Sequence, residues 1–139
     1  MVQRHDPTAT QNATSTYADL DGSSISFTPV SASSKIIYRY VFYQATAGGN
    51  GLGHFKLLLD GTEQTESKFT AFVSLSGYGE GFVGHEYLLD SWGTSAKTLK
   101  LQAREYDAAN AVKFHETAYV DGAVSSVLVR AVLTITEIL

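Results

Sequence analysis

Lys35-Ile36-Ile37-Tyr38-Arg39-Tyr40-Val41-Phe42-Tyr43 is the stretch that decides the fold class. Side chains along a strand alternate between its two faces. Ile36, Tyr38, Tyr40 and Phe42 therefore share one face, and Ile37, Arg39, Val41 and Tyr43 the other. Both faces carry large apolar groups. An antiparallel sheet usually packs one face on the core and turns the other to water, so a strand apolar on both sides implies that part of an outer face is covered as well. Ser126 to Ile138 reads the same way, with Val127, Val129, Ala131, Leu133 and Ile135 alternating with Leu128, Arg130, Val132, Thr134 and Thr136. Oligomerisation is the simplest cover for such a face. A cyclic trimer is expected, although a dimer satisfies the pattern equally. Tyr38, Tyr40, Val129 and Leu133 are the expected subunit-interface residues.

Outward from this strand the chain is a succession of strands parted by turn signals, with hardly a helical stretch. Ser24 to Thr28 alternates Ile25 and Phe27 with Ser24, Ser26 and Thr28, after a turn at Asp19-Leu20-Asp21-Gly22. Gly48-Gly49-Asn50-Gly51 turns the chain into His54 to Asp60, and Asp60-Gly61 is a hairpin signal. Lys68 to Leu75 and Phe82 to Leu89 are further strands, joined by the glycine-rich Gly77-Tyr78-Gly79-Glu80-Gly81. Beyond the turn Asp90-Ser91-Trp92-Gly93-Thr94, Leu99, Leu101 and Ala103 alternate with Lys100, Gln102 and Arg104. Val112 to Val120 precedes a turn at Asp121-Gly122 and the last strand. This spacing describes an all-β fold, an antiparallel, jelly-roll-like β-sandwich. Residues 1–16, polar and broken by Asp6-Pro7, are expected to form an extended N-terminal arm, and residues 17–139 a single sandwich domain.

Composition excludes several function classes. The 139 residues make one domain. The hydrophobic fraction is 44% and the charged fraction 17%, against roughly 25% charged in an average domain, so disorder is excluded for most of the chain. With a net charge of −4 and scattered Lys and Arg, it lacks the basic footprint of a nucleic-acid partner. No apolar run is long enough for membrane insertion, and the N-terminus does not read as a secretory signal. The chain has no Cys, which removes disulfides, thiolate metal sites and a Cys nucleophile.

Chemistry-bearing motifs are sparse. His5, His54, His85 and His115 sit in no Gly-x-Ser-x-Gly elbow, and no two stand at metal-ligand spacing. They read as surface or strand-edge residues. Glu80, Glu86, Asp90, Glu105 and Glu116 form no paired-carboxylate motif beyond what any acidic chain offers. Gly77, Gly79 and Gly81 lie between strands, without the helix N-terminus that a phosphate loop requires. The expectation is a non-enzyme with no metal and no cofactor. Tyr78 and Trp92, aromatics in loops, are candidate ligand contacts.

Several segments resemble a known domain. Thr14-Ser15-Thr16-Tyr17-Ala18-Asp19, Ser26-Phe27-Thr28-Pro29-Val30-Ser31-Ala32-Ser33-Ser34-Lys35-Ile36, Tyr87-Leu88-Leu89-Asp90-Ser91, Thr94 to Arg104, and the closing Leu133 to Ile138 occur in order. Together they resemble a small β-sandwich virion domain of tailed bacteriophages, especially marine and cyanobacterial ones. The sequence departs from that pattern at Leu99, where Tyr is common, and at Trp92-Gly93. The resemblance implies a non-enzymatic component of the virion surface, assembled in the host cytoplasm and commonly trimeric. Its role is then either capsid decoration or a fibre tip that touches a host surface glycan or protein. An arm of about sixteen residues at roughly 3.3 Å each is short for a fibre shaft, which favours decoration. Val2, Gln3, Arg4, His5, Asp6 and Pro7 of the arm are then the expected contacts with the major capsid protein.

Overall fold

The computed structural model of the chain describes residues 2–3, 7–46, 50–73, 79–120 and 124–139. In chain order its strands are β1 (Val2–Gln3), β2 (Gln11–Asn12), β3 (Ala18–Asp19), β4 (Ile25–Phe27), β5 (Lys35–Thr46), β6 (Gly51–Leu59) and β7 (Thr62–Val73). They continue as β8 (Glu80–Asp90), β9 (Lys97–Glu105), β10 (Val112–Phe114), β11 (Glu116–Val120), β12 (Val124–Leu128) and β13 (Val132–Ile138). One turn of 3-10 helix, Ala108–Asn110, stands before β10, with the Asp107 carboxylate accepting the Ala109 and Asn110 N–H groups.

Every strand pairing is antiparallel. In the first sheet β8 lies along one edge of β5, while β13 and β10 share its other edge and carry β1 and β2 outside them. In the second, β7, β6 and β9 run side by side, with β3 and β4 sharing the far edge of β9. Taking β1 with β2, β3 with β4, and β10 with β13 as interrupted strands, this is the strand order of a jelly roll. Most connections cross between the sheets, and the β6–β7 hairpin is an exception. Its turn residues Asp60 and Gly61 have φ of 48° and 79°, the left-handed pair that a two-residue hairpin turn requires. A bulge follows between Phe55 and Leu57. There Ser67 Oγ accepts the Leu57 N–H at 2.8 Å and donates to the Gln64 carbonyl at 2.6 Å, satisfying groups that the shifted ladder leaves open.

Between the sheets lies an aromatic core. Phe42 stands 5.4 Å from Tyr40 and 5.3 Å from Phe55, and Phe55 stacks on Phe69 at 4.6 Å. Leu57, Leu99, Leu101, Leu133 and Ile135 fill the space around them. The buried hydroxyls are satisfied: Tyr38 donates to the Ser23 carbonyl and Tyr40 to the Asp21 carbonyl, both at 2.7 Å. Tyr38, Tyr40 and Leu133 are fully buried within the chain. This corrects their assignment to a subunit interface, because a side chain enclosed by its own sandwich offers no surface to a second copy. Val129 is half-buried in the segment between β12 and β13.

Two expected strands are broken. Val112 to Val120 divides at His115, whose φ of 62° no strand sustains, and Ser126 to Ile138 divides after Leu128. The piece between them, β11 and β12, forms a hairpin that belongs to neither sheet.

The described part of the arm is extended, as expected, but it is bound to its own domain. β1 pairs with β13 and β2 with β10, Pro7 is buried, and Thr8 donates from N–H and Oγ1 to the Asp21 carboxylate at 2.7 and 3.1 Å. Gln11 bridges the Asp19 carbonyl and the Asp21 N–H at 2.8 and 2.9 Å. The arm therefore supplies the outer strands of the first sheet. That revises Pro7, and the backbones of Val2 and Gln3, as free capsid contacts. Arg4, His5 and Asp6 lie outside the described residues.

Candidate functional site

The two sheets differ most on their outer faces. On the second sheet the outward positions of β9 are Thr98, Lys100, Gln102 and Arg104, beside His54 and Lys56 of β6. Lys100 and Gln102 both hold the Asp19 carboxylate, at 2.6 and 2.8 Å, and Glu63 takes Lys56 and Lys68. Lys56 and Arg104 also lie over the ring of Tyr17, at 4.4 and 5.5 Å from its centroid. Paired charge covers β9 and its neighbours on this face, and Phe72 of β7, 60% exposed beside Leu52, adds an apolar spot at one end.

The outer face of the first sheet is apolar. The register sets Ile37 beside Leu88, Val41 beside Val132, and Tyr43 beside Phe82. Phe82 is 69% exposed, Leu88 57% and Val132 39%. The Tyr43 and Phe82 rings meet edge to face at 4.9 Å. A Cβ at Gly84 would meet nothing nearer than a Val41 methyl at 3.9 Å, so glycine leaves Val41 open on that side. The charges on this face are matched across strands: Arg39 with Glu86 at 3.8 Å, and Lys35 with Asp90. Strand alternation places Ile37, Arg39, Val41 and Tyr43 on one face of the strand, but their outward neighbours Phe82, Leu88 and Val132 follow only from strand register.

Three of the quoted segments meet at the end of the sandwich where β13 finishes. Glu137 accepts the Val30 and Ser31 N–H groups at 2.8 and 3.3 Å and the Ser34 hydroxyl at 2.6 Å. Those bonds, the Ser34 hydroxyl first among them, hold its carboxyl below its ordinary range. Ser91 joins by donating its N–H to the Ser34 carbonyl at 3.0 Å and its hydroxyl to the Ser31 carbonyl at 2.9 Å. Three stretches distant in sequence are thus one clasp, and their spacing encodes a loop conformation.

The remaining sequence candidates are dispersed. Trp92 packs edge to face on Phe27 at 6.3 Å, with its indole N–H donated to the Ser95 carbonyl at 3.0 Å. Tyr78 and His5 lie outside the described residues. His54 contacts Thr70 Oγ1 at 2.9 Å on the charged face. His85 and His115 are interior residues, which corrects their reading as surface or strand-edge groups. His85 stacks on Phe69 at 4.6 Å, and burial pushes the imidazoles of both His85 and His115 down to about 4. Glu80 accepts the Thr117 hydroxyl at 2.7 Å and Glu116 pairs with Lys113 at 3.1 Å. Among the described residues no group of three His, Asp or Glu stands ready for a metal ion, and no helix is long and apolar enough to cross a membrane. A groove of about 320 Å³ opens beside Tyr87 and Leu88, across from Gln64 and Glu66. No family model matches the chain, and no curated protein matches it in sequence.

Proposed function

We propose that the chain is a non-enzymatic structural protein of a tailed-bacteriophage virion. In this reading it is a decoration protein that associates as a trimer through the outer face of the first sheet, binds the major capsid protein on the outer capsid surface and stabilises the shell. The observation that carries this reading is the contrast between the outer faces. One is mostly paired charge with Phe72 as its exposed apolar residue, and the other gathers Ile37, Val41, Tyr43, Phe82, Leu88 and Val132 around the Arg39–Glu86 pair. Exposed apolar residues gathered on one sheet face favour association. The ordered segments from Thr14 to Asp19, Ser26 to Ile36, Tyr87 to Ser91, Thr94 to Arg104 and Leu133 to Ile138 supply the phage setting. A protein that binds only the assembled shell stabilises it by mass action.

Co-sedimentation of the purified chain with undecorated capsids of tailed phages is the direct test. Saturable binding that raises the temperature of capsid disruption is expected. A variant lacking residues 1–6 loses β1 but retains Pro7 and β2, and with its folding checked it asks whether the arm contributes to the capsid contact. A folded protein that ignores capsids and adheres to host cells or their glycans would replace decoration with the fibre-tip role.

A further inference from the structure

His115 occupies an unusual position in the fold. It stands where β10 ends and the β11–β12 hairpin begins, in a left-handed conformation with φ of 62°. Its N–H donates to the Tyr43 carbonyl at 2.9 Å, extending the β10 ladder along β5. Its carbonyl accepts the Val129 N–H at 2.8 Å, closing the base of the hairpin. His115 therefore holds the base of the hairpin against the first sheet, with the Thr117 hydroxyl donated to Glu80 of β8 at 2.7 Å as a second tie. Its ring is fully buried among Tyr40, Phe42 and Phe114, at 6.5, 6.3 and 6.5 Å between centroids, and neither ring nitrogen makes a well-formed hydrogen bond.

An imidazole buried mainly among aromatic side chains favours the neutral form, because the cation loses its hydration there. Asp21, in the turn between β3 and β4, is the carboxylate that faces the ring and partly opposes this effect. That carboxylate is occupied by the N–H and hydroxyl of Thr8. From β5 the facing titratable group is Tyr40, whose hydroxyl is donated to the Asp21 carbonyl and whose burial keeps it neutral. The charges flanking along the chain, Lys113 and Glu116, are paired with each other.

We propose that His115 is an acid-released latch: on protonation its ring leaves the aromatic cage, and the β11–β12 hairpin detaches from the first sheet while the rest of the sandwich stays folded. This inference stands apart from the virion reading, since it concerns how the hairpin is held and not what the protein binds. The open state takes up its proton near the ordinary histidine value, whereas the closed state resists until about 4. Opening therefore becomes easier as pH falls through that window, by roughly 20-fold between pH 7 and pH 5.

Hydrogen exchange on the full chain at pH 7 and pH 5, corrected for intrinsic rates, reads this directly. Amides of β11 and β12 should lose protection by about that factor through local opening, and those of β6 and β9, which exchange through global unfolding, should stay the more protected set at both pH values. His115→Asn tolerates the left-handed backbone and does not titrate, and it should abolish the pH dependence of the hairpin. His85→Phe should leave that dependence intact. Should His115→Asn fail to fold, the ring titration of wild-type His115 followed by NMR decides the matter. A midpoint near 6.5, or hairpin amides equally protected at both pH values, overturns the proposal.

Discussion

The outer faces of the two sheets are built by the same strand alternation and differ in what covers them. On the second, Lys56, Lys100, Gln102 and Arg104 find Glu63, Asp19 and the Tyr17 ring within their own chain, and Phe72 is the large apolar residue left exposed. On the first, Phe82, Leu88 and Val132 stand exposed around Ile37, Val41 and Tyr43. The charges there, Arg39 with Glu86 and Lys35 with Asp90, are already matched and leave no net repulsion to keep a second copy away. The difference teaches that alternation fixes which residues share a face, while the share of exposed apolar side chains left between paired charges sets the two faces apart.

The comparison can be broken at several depths. Phe42→Ala, on the inner face of β5, opens a cavity among Tyr40, Phe55 and Phe114. It should cost about 3–5 kcal/mol, read as a lowered denaturation midpoint, whereas Val41→Ala beside it should leave subunit folding nearly unchanged. A loss close to zero for Phe42→Ala would mean that the inner face is misassigned.

Acid titration is the next largest effect. His85 and His115 are held down to about 4 by burial. The unfolded chain therefore binds protons near pH 6.5 that the folded chain refuses until about pH 4. Their contribution is complete above about pH 6.5 and is lost as pH falls toward 4, on the order of 3 kcal/mol for each residue. Denaturant unfolding at pH 7 and pH 5 measures it, and equal stabilities would contradict the buried, neutral assignment.

Ser34→Ala removes a buried hydroxyl from the Glu137 clasp. A loss of about 1–2 kcal/mol is expected, with assembly unaffected. The smallest effect belongs to the charged face: Lys100→Ala breaks an exposed pair with Asp19 and should cost no more than about 1 kcal/mol. A change in oligomeric mass on Lys100→Ala would place the interface on the wrong sheet.

Strand alternation made the all-β class, the Asp60-Gly61 hairpin and the apolar character of both faces of β5 legible in the sequence. It left the direction of each face open, because Tyr38 and Tyr40 look no more interior than Ile37 and Val41. Their acceptors, the carbonyls of Ser23 and Asp21, come from a distant turn that no local pattern announces. The hairpin between β10 and β13 was hidden for a similar reason. Val112 to Val120 keeps strand-like composition through His115, and the left-handed turn there is imposed by tertiary packing. The resemblance segments were visible as a pattern, but their meeting at Glu137 depends on bonds spanning more than a hundred residues.

The central claim is that the outer face of the first sheet is where copies of the chain meet. Sedimentation equilibrium of the wild-type protein beside Leu88→Asp tests it most directly, since Leu88 is outward, 57% exposed and paired with Ile37. A trimeric mass for the wild type and a folded monomer for Leu88→Asp are the predicted results. A monomeric wild type, or an undiminished oligomer in the variant, would contradict the account.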